Sequence, residues 1–171
     1  AVAADFEHLN HLLPAALTLR EGIWLWREGD DAKTVFSALD GTEINATGFS
    51  SIDVTGLAAA TGARSVQFNL GQGVSSSRRK GGALSTELVL DMSGLDLAGQ
   101  ALRTRHAVVH PGGAAPLTGM GIALLLERLM GLDGKPPVVP GLYFPWQILD
   151  ASRYLARLAQ EGGDVLELPS S

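Results

Sequence analysis

The side chains of this chain whose types and spacing could do chemistry are two histidine pairs, a cationic triplet and a tyrosine. His8 and His11 lie three apart, beside Asp5 and Glu7. On a helix that spacing turns two imidazoles to one side, as one metal ion needs. No third ligand falls at a matching interval, so the same residues also read as a solvated polar face. His106 and His110 lie four apart in a strand-like run. There they would share a face about 13 Å apart, too far for one metal ion. Either can donate to a substrate carboxylate or shuttle a proton, or else be a histidine whose bonds serve the fold. His110 is the better placed of the two, against Pro111-Gly112-Gly113. Arg78, Arg79 and Lys80 form the dense cationic cluster. Arginine's planar fork suits a carboxylate or phosphate, and the other reading is a solvated loop tip. Tyr143 can present its hydroxyl to a ligand or bond it to backbone.

Composition narrows what such residues could serve. A chain of 171 residues suits one domain with a continuous core. Its 13 basic and 18 acidic residues give a net charge of -5, the opposite of the basic excess that nucleic acid attracts. With no cysteine there is no disulfide, thiolate metal site or cysteine nucleophile. No apolar run reaches the roughly 18 residues of a membrane-spanning helix. Residues 1–7 lack a basic stretch followed by an apolar block, so no secretory leader is expected, and a cytoplasmic soluble domain is the expectation.

The elements that must position these groups follow from periodicity. Asp5 can cap a helix with Phe6, Leu9, Leu13, Ala16 and Leu17 on one face, kinked at Pro14 and ended by Gly22. Two strands are expected over 23–28 and 33–39, joined as a hairpin by Gly29-Asp30-Asp31-Ala32, with Trp24 and Trp26 on one face of the first. A helix over 52–60 should be capped by Ser50 or Ser51 and closed at Thr61-Gly62. Residues 65–70 alternate as a strand. The small and basic run 71–82 is expected to be a mobile loop. Strands over 86–93 and 100–110 come next, with Arg103 and Arg105 on an exposed face. The spacing then predicts a helix over 117–130 that buries Ile122, Leu125, Leu126, Leu129 and Met130. A last helix over 146–160 should bury Ile148, Ala151, Leu155 and Leu158, before a strand over 164–168. Strands on tight turns with helices inserted separately predict a single α+β domain over 1–171. Its sheet would be mixed and largely antiparallel, with helices packed mainly on one face.

A dinucleotide cradle is not expected here. No Gly-x-Gly-x-x-Gly follows a strand and opens a helix, and Gly71-Gln72-Gly73 runs into serines and arginines instead.

Several segments taken in order carry a resemblance: Ser65-Val66-Gln67-Phe68-Asn69-Leu70-Gly71; the strand 86–93 running into Gly94-Leu95-Asp96-Leu97-Ala98-Gly99; His110-Pro111-Gly112-Gly113; Pro116-Leu117-Thr118-Gly119; and Pro140-Gly141-Leu142-Tyr143-Phe144-Pro145 with Leu149-Asp150. From about Ser50 onward the chain resembles the C-terminal part of saccharopine dehydrogenase-like proteins. The resemblance implies a two-part oxidoreductase. An N-terminal Rossmann domain, absent from these residues, would bind NAD or NADP. The present α+β part would complete the cleft for a small-molecule substrate and pair as a homodimer. It puts His110, Thr118, Arg78, Arg79 and Tyr143 first among candidate substrate-binding residues and assigns no catalytic residue. Trp146 stands where that family commonly has a glutamate. The alternative, from another class, is a non-catalytic ligand-binding or interaction module that dimerises through an apolar face such as Trp24 and Trp26.

Overall fold

The computed structural model describes residues 16–169, and the chain divides between Gly73 and Val74 into two compact units. In the N-terminal unit, β1 (Ala16–Arg20) and β2 (Ile23–Arg27) form an antiparallel hairpin with Ala16 opposite Arg27. Glu21 and Gly22 make its turn at φ of 51° and 84°, the left-handed pair that matches strand twist in a two-residue loop. The helix expected through Ala16 and Leu17 is therefore a strand there, because tertiary pairing overrides a three-to-four spacing read on one element. The remainder of that expected helix, with His8 and His11, lies outside the described residues.

Gly29–Ala32 is a single 3-10 turn, and the expected hairpin across it does not form. Instead β2 pairs only β1, while β3 (Lys33–Ser37) pairs β4 (Glu43–Gly48), a strand the alternation did not announce. β5 (Asn69–Gly71) adds to β4. Upstream of β5, Val66 exchanges two backbone bonds with Leu19 at 2.8 and 2.9 Å, so the expected 65–70 strand is divided between two neighbours. α1 (Ile52–Thr61) starts where Ser51 accepts the Asp53 N–H and stops at Gly62, φ 68°, as its cap residues indicated.

The C-terminal unit carries α2 (Ser76–Arg79), β6 (Thr86–Leu95), β7 (Ala101–His110), α3 (Ala114–Leu129), α4 (Pro145–Ile148), α5 (Ala151–Gln160) and β8 (Asp164–Leu168). Its sheet runs β6-β7-β8, antiparallel throughout. Leu117, Met120, Leu124 and Leu158 form a buried cluster, with Val108 of β7, Leu149 and Tyr154 packed against it. The stripe expected to be buried on α3 is the wrong one. Ile122, Leu126, Leu129 and Met130 are exposed, and the face turned inward is Leu117, Met120 and Leu124. A helix apolar on most of its circumference offers two stripes, and periodicity alone does not choose between them. The last expected helix is broken at Leu149, whose extended backbone lets Asp150 cap α5 through the Arg153 N–H at 2.9 Å. Leu155 consequently faces out and Leu158 is fully buried.

The fold is α+β, as expected, but every strand pair is antiparallel where a mixed sheet was expected, and the strands are shared among three small sheets. Among the described residues, no helix is long and apolar enough to cross a membrane.

Candidate functional site

His110 ends β7 and is buried, 5% exposed. Its Nδ1 accepts the Gly112 N–H at 3.0 Å, and its Nε2 lies 3.0 Å from the Glu161 carbonyl. An amide can only donate and a carbonyl can only accept, so the ring is the neutral Nε2–H tautomer with both nitrogens engaged. Gly112 allows this: a Cβ there would sit 3.1 Å from both the His110 ring and Pro116. The imidazole thus ties the end of β7 to the end of α5. A ligand could reach it only by displacing one of these partners.

Thr118 is exposed in the second turn of α3, its hydroxyl donating back to the Ala114 carbonyl at 3.2 Å. Tyr143 donates to the Val139 carbonyl at 3.0 Å and lies over Gly141, where a Cβ would meet the ring at 2.9 Å. The proline-bracketed loop is therefore folded on itself, and its next aromatic, Phe144, stacks on Trp146 with centroids 6.4 Å apart.

The run 71–82, expected to be a mobile loop, contains α2 and a dense polar network. Arg78 is exposed. Arg79 turns inward, donating to Ser76 Oγ at 3.1 Å and to the Val74 carbonyl. Glu87 on β6 accepts from the Ser76 N–H at 2.7 Å, Ser76 Oγ at 2.8 Å and Ser85 Oγ at 2.9 Å. The sequence places Glu87 only within the strand expected over 86–93. The available signal was its place two residues after Ser85 and opposite a run of three serines, a ready set of donors for one carboxylate.

Register places Thr86 opposite His110 and Glu87 opposite Val109. The Arg78–Arg79 turn and His110 thus occupy one end of one ladder, while Glu87 and His110 project to opposite faces. Thr118 follows on the His110 side, at the start of α3. Tyr143 bonds only within its own loop among the contacts described. His106 shares the face of His110 but sits opposite Leu90 and Glu167, and no cluster of metal-ligating side chains occurs among the described residues. Arg105, expected on an exposed face, is buried and lies 3.5 Å from Asp91. A water-sized cleft of about 10 Å³ opens beside Leu124 and Tyr154. Arg128 and Arg153 line it, and both pair with Asp133, at 3.5 and 3.7 Å.

In the N-terminal unit, Arg27 was read as one more strand position and is 3% exposed. Its guanidinium donates to Thr18 Oγ1 at 2.8 Å and to Asn69 Oδ1 at 2.9 Å. Burial draws its pKa below the ordinary value, opposed by the nearby Asp31 carboxylate.

No parallel strand–helix–strand unit is present among the described residues. Gly71 serves packing rather than a phosphate, since a Cβ there would lie 2.7 Å from the Phe36 ring and 2.9 Å from Ile44. No protein-family model matches the chain, and no curated protein matches it.

Proposed function

We propose that this chain is the substrate-binding and dimerisation domain of an NAD(P)-dependent oxidoreductase related to saccharopine dehydrogenase-like proteins. In this reading a Rossmann segment supplies the NAD or NADP site, and these residues orient a small-molecule substrate and exclude water. Arg78 offers an exposed guanidinium to an anionic substrate group, with Arg79 behind it. His110 acts by fixing the β7–α3 corner from which Thr118 projects, and Tyr143 by shaping its loop.

The observation that supports the dimerisation half of the reading is the divided face of the β6-β7-β8 sheet. Val108 meets the helices at one end, while Leu88, Leu90, Met92 and Leu102 on the same face are exposed. A contiguous apolar face of this kind marks an association surface more often than free surface, and a second copy is the occupant proposed.

NADPH titration tests the cofactor half of the reading. The chain alone should show no saturable binding, and the chain co-purified with a Rossmann segment encoded beside it should bind. A complex that still ignores the cofactor overturns it. Sedimentation velocity tests the dimer. Met92→Glu should shift the equilibrium to monomer, and a wild-type monomer at high concentration counts against the proposal.

A second reading, a non-catalytic binding or interaction module forming a homodimer, draws on Trp24 and Trp26, which are 48% and 60% exposed on one face of β2. If Trp24→Ser with Trp26→Ser dissociates a dimer that Met92→Glu leaves intact, this reading is the better one.

A further inference from the structure

We propose that Glu87 is the positioning residue for the Arg78–Arg79 site: its carboxylate pins the 74–85 segment to β6 and so fixes where Arg78 is presented. The inference rests on the reading that these arginines take an anionic substrate group, and it names a residue that would touch no substrate itself.

The 74–85 segment has no apolar anchor. Val74 and Leu84, its two large apolar residues, are 55% and 58% exposed. A stretch held by few buried apolar contacts opens at low free energy, so its closed state depends on polar bonds. Those bonds converge on one group. Glu87 receives both the N–H and the hydroxyl of Ser76, and the hydroxyl of Ser85, from the two ends of the segment. Ser76 and Ser85 are themselves buried. The other contacts build outward from this pin. Ser77 Oγ donates to the Ala83 carbonyl at 2.5 Å and lies 2.8 Å from Ser85 Oγ, and the Ser85 N–H donates to Ser75 Oγ at 3.0 Å. Ser76 Oγ, having donated to Glu87, accepts from Arg79. The inward arginine thus reaches the carboxylate through one hydroxyl, and its neighbour Arg78 is left facing solvent.

Two measurements on the full chain separate this role from the site reading. The first is amide exchange at Arg79, Lys80, Gly82 and Ser85, whose N–H groups all donate within the segment. The second is binding of glutarate, a dicarboxylate probe, followed by NMR titration. Glu87→Ala should speed exchange by about tenfold or more, the scale of a lost charged hydrogen bond, and weaken glutarate comparably. Glu87→Gln keeps an oxygen for the Ser76 N–H and should restore part of both. Arg78→Ala should abolish glutarate binding with exchange unchanged. Unaltered exchange in Glu87→Ala overturns the pin, and faster exchange with undiminished affinity overturns the positioning role. A wild-type protein that ignores glutarate, or Arg78→Ala binding as well as wild type, sinks the site reading and the positioning role with it. Unchanged exchange in α3 and α5 shows that each variant is folded.

Discussion

The C-terminal unit buries Leu117, Met120, Leu124 and Leu158 against one another, whereas the described part of the N-terminal unit buries mostly small side chains and an arginine. Its buried apolar residues are Ala16, Leu19, Ala32, Ala38, Ala46 and Val54, and its buried polar ones are Thr18 and Arg27. One interior is assembled by apolar contact and tolerates exchange of similar volumes. The other is assembled on a guanidinium whose donors face fixed acceptors, and its neighbours have no room to spare. A Cβ at Gly48 would stand 2.7 Å from the Arg27 guanidinium and 2.8 Å from the Ala16 methyl. The contrast teaches where each half can be broken: by volume in the second unit, by polar geometry in the first.

Leu158→Ala is the largest expected break. The side chain has no exposed surface and lies against Gly163, where any Cβ would run into it. Emptying the site should cost about 2–5 kcal/mol, read as a lower urea midpoint with faster exchange across α3, α5 and β7. A loss under about 1 kcal/mol would mean that the cluster closes over the gap, and the contrast between the two interiors would weaken.

That cluster shows how far the sequence could be read. Alternation found β2, β3, β6, β7 and β8, and the caps of α1 were legible in Ser51, Asp53 and Gly62. Each of those features is local. What failed was pairing and choice of face. Nothing in 29–32 says that β2 turns back to β1 rather than on to β3, and the Glu21-Gly22 turn that decides it was taken as a helix end. On α3 both stripes carry leucines, so only the position of β7 selects Leu117, Met120 and Leu124. The site residues divide in the same way. Arg78 and His110 stood out by type and setting, but the partners that give each its state are distant in the chain: Glu161 for His110, Glu87 for the arginine turn.

Arg27→Met tests the polar interior. It preserves most of the side-chain length while leaving Thr18 Oγ1 and Asn69 Oδ1 without their donor, which should cost about 1–3 kcal/mol. Arg27→Lys should not rescue, because a single ammonium cannot reproduce the fork. Although burial lowers the Arg27 pKa, the ordinary value is so high that the group stays charged in both states between about pH 5 and pH 9. A depressed base favours folding only above its folded pKa, so the cost of this mutation should be flat across that window.

His110→Ala brings polar geometry into the apolar unit. It strands the Gly112 N–H and the Glu161 carbonyl and opens space beside Leu158, for an expected loss of about 1–2 kcal/mol by thermal melting. His110→Asn can satisfy only one of the two partners and should fall between. If both variants match wild type, the β7–α5 tie is held by Leu158 alone and the imidazole is available for chemistry.

The smallest effect is expected at the surface turn that follows β2. Lys33 Nζ lies 2.7 Å from Asp30 Oδ1, both side chains exposed. The hydrogen bond, and then the charge, hold the Asp30 carboxyl below its usual range and the Lys33 ammonium above its own. The signs define a broad window. Asp30's contribution is present above the usual carboxylate range and lost as pH falls through its lowered pKa. Lys33's is present below its usual range and lost as pH rises through its raised one. Within that window water and salt screen the pair, so Asp30→Asn should leave the melting temperature unchanged at neutral pH and physiological salt. A clear fall in Asp30→Asn would place the direction of the chain after β2 in this exposed pair. The inner bond from Arg27 to the Asp31 carbonyl, 3.4 Å long, would then be the follower rather than the cause.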